Sequence, residues 1–442
     1  MTLWGSLVRS QYGPRKKKIT RIQPHVNHLI FLNIVILALY LQILPHNISC
    51  MKTSSKKSLA IFASLSLILV AQPSLVMAKS SDTNTRKFTR WDYYSYKYVG
   101  ATLQRQILPS ENNAGCSPCA WTTKDSRGVK SFDPIRVQSF NTIKAFGKKQ
   151  KLPPTEIEWL FTKNVQPSLV KMYKKLNTDS LTYWQSQLVN PLPYRMVVGT
   201  EKDRVEYKNI LLESEVSPSS LPMINSFFDR YANLQDYEKV RPVGGGSPVK
   251  DILIASKKDV YQILYHVGSF TTDQKVFATT PAHEITHVLQ THRSKSIGYN
   301  NNMPPTLWEG SAVLFGAGIP MSNVAWYSDE LDHQLTRFLS NFAKKAPMKS
   351  DADAVNLLIK AEKTDSEISV EAGYYVGAIL FEWLIAKYGV EKYLELLDAT
   401  ATAPSFNDAM TKTYGISKDE IYKKAAPYVL KNYQRVLKVF NG

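Results

Sequence analysis

The spacing of apolar and polar residues divides the chain into stretches of different texture. Between 153 and 176, "PPTEIEWLFTKNVQPSLVKMYKKL" puts Ile157, Leu160, Val165, Leu169 and Met172 on one broad helical face. Pro153 and Pro154 suit the start of that helix. After "NPLP" at 190–193 the period shortens. "YRMVVGT" reads as a short buried strand closed by Gly199. "SLPMINSFFDRYANLQDYEKV" (220–240) reads as a helix, "RPVGGGSPVK" (241–250) as a loop and "DILIAS" (251–256) as a second strand. Helical patterns dominate from there to the C-terminus, and no repeat of 20–50 residues is visible. The expected architecture is α+β, a small α/β layer followed by an all-helical C-terminal part.

Two apolar runs precede this region. "MKTSSKKSLAIFASLSLILVAQPSLVMAKS" begins at Met51 with a basic start, continues through Leu59–Ala71, and ends on Val76 and Ala78. That is the three-part layout of a secretory signal peptide cleaved after Ala78. Upstream, "LIFLNIVILALYLQIL" (29–44) has 16 residues, fewer than the roughly 20 of a spanning helix. Two readings follow. Either residues 1–50 are an over-extended start, or 29–44 is a membrane anchor. The expected divisions are a leader (1–78), a mostly helical region of unassigned role (79–190), an α/β unit (191–320) and a helical unit (321–442).

Charge adds little to function. The chain of 442 residues carries a formal net charge of +18. Residues 1–78 hold nine of the 55 Lys and Arg and none of the 37 Asp and Glu, so the net falls to +9 without them. The remaining excess is dispersed in short clusters such as "KAFGKKQK" (144–151). A nucleic-acid groove gathers basic residues and aromatics at one site, so no nucleic-acid partner is expected. A solvated surface favouring anionic envelope polymers is the better reading. Cys116 and Cys119 in "GCSPC" suit a small structural disulfide in an exported protein. Their flanks lack the strand-then-helix setting of a redox pair, and a zinc ribbon needs a second pair. Gly244–Gly246 lacks a following Gly-Lys-Ser/Thr and reads as a connector rather than a phosphate cradle.

The candidate chemistry lies in "PAHEITHVLQTH" (281–292). Thr280 and Pro281 suit a helix start, and Ile285, Val288 and Leu289 supply an apolar face. His283 and His287 fall one turn apart on another face, the separation at which two imidazoles share a zinc ion. Glu284 is offset by about 100° and lies beside that direction, where a carboxylate can take a proton from a metal-activated water. Two histidines leave zinc short of a third protein ligand. Glu309 supplies it in "PPTLWEGSAVLFGAG", 22 positions after His287, in an apolar helix where a lone carboxylate is costly. "MPP" (303–305) sets the start of that helix. His292 and His333 read as solvated surface residues, and His266 as structural.

"HEITH" followed by "LWEGSA" resembles the gluzincin metallopeptidases, the thermolysin-like and aminopeptidase-like zincins. "EAGYYVGAILFEWLIAKYGVEKYLELL" resembles the segment in which a Tyr-x-x-Gly opens a helix ending in Tyr-Gly. The resemblance covers about 190–440. It implies a zincin-like fold, with the α/β layer carrying the motif helix against the helical C-terminal domain. It also implies one Zn2+ per chain on His283, His287 and Glu309, Glu284 as general base, and Tyr374 as donor to the developing oxyanion. The substrate would be a peptide or protein, and the location secreted or cell-envelope, with membrane attachment only if 29–44 is retained. Three departures stand out. Val313 occupies the place of an Asp that orients a zinc histidine, Trp308 replaces an Asn, and the Gly-x-Met-Glu-Asn segment of the aminopeptidases is missing. A non-catalytic zinc-bearing envelope module is the rival expectation, and oligomeric state is left open.

Overall fold

The structure is a computed structural model. It describes residues 94–107, 132–150, 152–154, 156–189, 191, 193–199, 203, 205–206, 209–210, 248–249, 261–266, 278–296, 298–342 and 347–441. The signal-peptide pattern, the 29–44 run, Cys116–Cys119, the 220–240 helix, Gly244–Gly246 and the 251–256 strand lie outside the described residues.

Strands β1 (Tyr94–Val99) and β2 (Thr102–Ile107) form an antiparallel hairpin, followed by helix α1 (Pro134–Lys149). Asp133 caps α1, its carboxylate accepting from the Ile135 amide at 2.9 Å, and Pro134 takes the first helical position. The single helix expected over 153–176 is not formed. Ile157–Phe161 is a strand, β3, and the helix α2 runs from Pro167 to Trp184. Two forces decide this. "IEWLF" pairs in parallel with β4 (Tyr194–Gly199), and Pro167 lacks the N–H a helix interior needs but suits its first position. Val165, Leu169 and Met172 do end up buried together, while Ile157 and Leu160 lie on the strand.

The described sheet has the order β3-β4-β6-β5, with β5 at Pro248–Val249 and β6 at Tyr261–His266. β3, β4 and β6 are parallel and β5 is antiparallel to β6. β4 is the strand expected from "YRMVVGT", buried along its whole length as a central parallel strand must be. Because β3 pairs with β4, the sheet crosses the division expected at residue 190.

From Thr279 onward every described element is a helix: α3 (Thr279–Ser294), α4 (Pro305–Gly318), α5 (Val324–Phe342), α6 (Asp351–Lys360), α7 (Glu367–Thr400), α8 (Phe406–Tyr414) and α9 (Lys418–Asn441). α4 is buried on all sides and starts at the expected prolines. α7 is long and apolar enough to cross a membrane by length and composition, yet 78% of its most apolar window is buried within the protein. It serves as the central core helix. It breaks at Gly389, whose φ of 88° lies in the region open to glycine, directly after Tyr388. α7 crosses α4 at a glycine contact. A Cβ on Gly310 would sit 2.5 Å from the Gly377 carbonyl carbon, and one on Gly377 would sit 2.8 Å from the Thr306 oxygen.

α1 is bound into this core by one buried guanidinium. Arg136 donates to both Glu382 oxygens at 3.0 and 3.2 Å, to Asp332 at 2.8 Å, to Ser328 at 2.9 Å and to Asn432 at 3.1 Å. It thereby ties α1 to α5, α7 and α9. A buried charge survives only when it is paired this fully. Beneath α3, Trp184, Phe315 and Tyr393 pack with ring centroids 4.9 Å apart at each step, joining α2, α4 and α7.

Candidate metal centre

α3 supplies the two histidines. It begins at Thr279 with Ala278 as its cap residue, so Thr280 does not cap it. Pro281 falls in the first turn, where its missing N–H is no loss. α3 is buried around its whole circumference from Thr280 to Thr291, with Ile285, Val288 and Leu289 in the core and His283 and His287 facing Glu309 of α4. Glu309 projects from α4 to meet them.

The three side chains converge. His283 Nε2 and His287 Nε2 lie 3.1 Å apart, and Glu309 Oε2 lies 3.3 and 3.4 Å from them. His283 is 5% exposed, His287 and Glu309 0%. Among the described residues no hydrogen-bond donor reaches Glu309 Oε2. Three buried lone-pair atoms at this spacing repel one another unless a positive charge sits among them. A tetrahedral cation with bonds of about 2.0–2.1 Å has ligand–ligand edges of about 3.3 Å, which these separations match. The donor set of two imidazole nitrogens and one carboxylate oxygen fits the same ion class. Thus His283, His287 and Glu309 can hold a metal ion.

The protonation states agree with that role. Burial pushes the His283 imidazole below its usual range, which favours the neutral ring. Burial raises the Glu309 carboxyl, but positive charge on the imidazole side lowers it by more, so the net direction is below the usual carboxylate range. Gln290 fixes the state of His287. Its side-chain nitrogen donates to the Trp308 carbonyl at 2.8 Å and to Ser311 Oγ at 2.8 Å, with longer contacts to the Leu307 carbonyl and the Tyr393 hydroxyl, both 3.3 Å. Only an NH2 group can face two carbonyl oxygens, so the amide oxygen is the atom 2.6 Å from His287 Nδ1. Nδ1 is therefore the protonated nitrogen and Nε2 the free one. His283 makes a backbone hydrogen bond to Ala312.

Trp308 stacks on the His287 ring at 4.8 Å and 17°. Tyr299, in the loop between α3 and α4, donates to Glu309 Oε1 at 2.8 Å. Tyr374 lies half-buried with its ring parallel to His283, centroids 6.3 Å apart at 2°. Burial, then the Glu309 charge, raises its hydroxyl well above the ordinary phenol range, so it stays a donor. Tyr375 turns away into the core, 4% exposed and 5.7 Å from Phe338. Glu284 is fully buried on α3.

Among the described residues no other histidine joins the metal-binding group. His292 Nε2 accepts the Val189 amide at 3.1 Å and fastens the segment after α2. His266 ends β6, opposite Gly199. His333 is not the solvated residue expected from the sequence; it is 7% exposed. α5 buries Asp329, Glu330 and Asp332 as well, because it lies within the helical layer, where Arg136 and Arg435 neutralise Asp332. Sequence reasoning missed Gln290 and Tyr299. The signal for Gln290 was its place three residues after His287, on the same face, with an amide able to accept and donate at once.

No protein-family model, curated protein or solved structure matches the chain.

Proposed function

We propose that the protein is an exported zinc-dependent peptidase of gluzincin type, with zinc held by His283, His287 and Glu309. The observation that carries the reading is the buried triangle of 3.1, 3.3 and 3.4 Å edges, with an undonated carboxylate oxygen at one corner. The helix carrying His-Glu-x-x-His, the ligand helix after it and the small mixed sheet support a zincin-like fold. The signal-peptide pattern at 51–78 supports export.

A bound zinc ion supplies Lewis acidity to a water molecule and to the scissile carbonyl. The protein's own groups do the rest. Glu284, next to His283 on α3, takes the proton from the attacking water and passes it to the leaving amine. Tyr374, kept protonated by burial, donates to the carbonyl oxygen as it gains charge. Gln290 and Trp308 hold His287 in one orientation and tautomer.

The test is a peptide-library digest with protein stripped by a chelator and then reloaded. Cleavage that disappears on stripping and returns with one zinc per chain is expected. Stoichiometric zinc with no cleavage of any peptide would leave a non-catalytic metal module instead.

A further inference from the structure

Resting on the zinc-peptidase reading, we infer that Tyr299 is a positioning residue that restricts Glu309 to ligation through one oxygen. The two oxygens of a carboxylate are equivalent until something distinguishes them, and a free carboxylate can chelate a cation with both. Here they are distinguished. Oε1 accepts the Tyr299 hydroxyl at 2.8 Å, while Oε2 faces both imidazoles at 3.3 and 3.4 Å. With Oε1 engaged, the third ligand occupies one coordination position and leaves another for water and substrate. An open position is what separates a catalytic from a structural zinc site.

The loop carrying Tyr299 is built to aim it. α3 ends on Lys295 in the left-handed conformation, φ 59°. Ser296 Oγ donates to the Gly298 carbonyl at 2.8 Å and accepts from Asn300 at 2.7 Å. Asn300 and Met303 exchange two backbone hydrogen bonds of 3.1 Å, and Asn300 Oδ1 accepts the amides of Asn302 and Met303 at 2.8 Å each. Asn302 in turn donates to the Ala403 carbonyl at 2.7 Å. "YNNNM" thus makes a closed side-chain-to-backbone turn instead of a loose connection, since asparagine can imitate a backbone turn. The phenol is held at the carboxylate by the same segment that delivers α4.

Cobalt substitution tests the inference, because the visible absorption of cobalt(II) weakens severalfold when a fifth ligand atom joins four. Wild type, Tyr299→Phe, Glu309→Gln and the double variant are loaded with cobalt(II), and their spectra and thermal melts are recorded. A severalfold loss of molar absorptivity in Tyr299→Phe is expected, with a lowered but still cooperative melt of the metal-free protein, because the buried Glu309 Oε1 loses its donor. In the Glu309→Gln background, where an amide binds through its single oxygen, the same change should leave the spectrum unaltered. Asn300→Ala keeps the phenol but frees its loop, and should shift the spectrum partway. Superimposable wild-type and Tyr299→Phe spectra overturn the inference while the metal reading stands. Absence of stoichiometric cobalt or zinc from the wild type overturns both.

Discussion

Gln290 joins the fold to the metal site, and its two ends can be separated by mutation. Its oxygen serves His287 at 2.6 Å, and its nitrogen serves α4 through the Trp308 carbonyl and Ser311 at 2.8 Å. In Gln290→Ala both ends are lost. Ser311 keeps the Leu307 carbonyl at 2.6 Å and the Tyr393 hydroxyl at 3.1 Å, so the group left without its acceptor is the His287 Nδ1–H. One buried unsatisfied donor costs about 1–3 kcal/mol. Losing the orienting partner of a metal histidine lowers metal affinity by about 10- to 100-fold, or about 1.4–2.7 kcal/mol. Gln290→Glu behaves differently. It retains an acceptor for His287 but sets a carboxylate oxygen where the NH2 faced the Trp308 carbonyl. The fold should weaken by about 1–3 kcal/mol while zinc affinity stays at wild-type level or above. Metal-free stability by denaturant titration and zinc affinity by chelator competition measure the two ends independently. Equal loss of zinc affinity in the two variants would refute the assignment of Gln290, as would an unchanged affinity in Gln290→Ala.

Tyr374→Phe should lower kcat by roughly 10- to 100-fold with KM and zinc content nearly unchanged, because its hydroxyl acts on charge that develops only in the transition state. Tyr375→Phe should leave kcat close to wild type, and steady-state kinetics of the pair would expose an error of register if the order were reversed. Gly310→Ala should destabilise the fold by at least about 1–3 kcal/mol, since its methyl meets the Gly377 backbone; a wild-type melting curve would contradict the α4–α7 contact. Asp332 is held at about 2 by Arg435 and Arg136 against the opposing effect of burial. A lowered carboxyl pKa contributes stability that is present above the unfolded value near 3.8 and is lost as pH falls toward 2, about 2 kcal/mol in this case. Asp332→Asn should therefore flatten the acid limb between pH 4 and 2 in denaturation curves, and an unchanged limb would contradict it.

The site was legible in the sequence where chemistry and helix geometry act over a few residues. His283 and His287 are one turn apart, and Glu309 is an acid in an otherwise apolar helix. The structure places them within one group because both patterns are local, and the prolines of α4 fix where its turns begin. Gln290 shares that local logic, yet a glutamine on a helix carries no chemical signal until a partner helix is set beside it. Tyr299 depends on a loop closed by Asn300 and Asn302, and no periodicity reports such a turn. β3 misled the helical reading because Ile157 and Leu160 fit a helical spacing by chance, and only pairing with β4 reveals the strand. His333 looked solvated because "ELDHQL" is polar. Its burial follows from α5 being enclosed by a layer that pairs Asp332 with two arginines.

The proposed chemistry rests on Glu284, and one comparison tests it most directly. Wild type and Glu284→Gln, each loaded to one zinc per chain, are set against the same peptide library and their turnover measured. The substitution removes the proton acceptor and leaves the ligands in place, so full zinc occupancy with a loss of at least about 100-fold in turnover is expected. Equal turnover by the two proteins would contradict the account, and it would leave the His283, His287 and Glu309 group as a metal site without the proposed base.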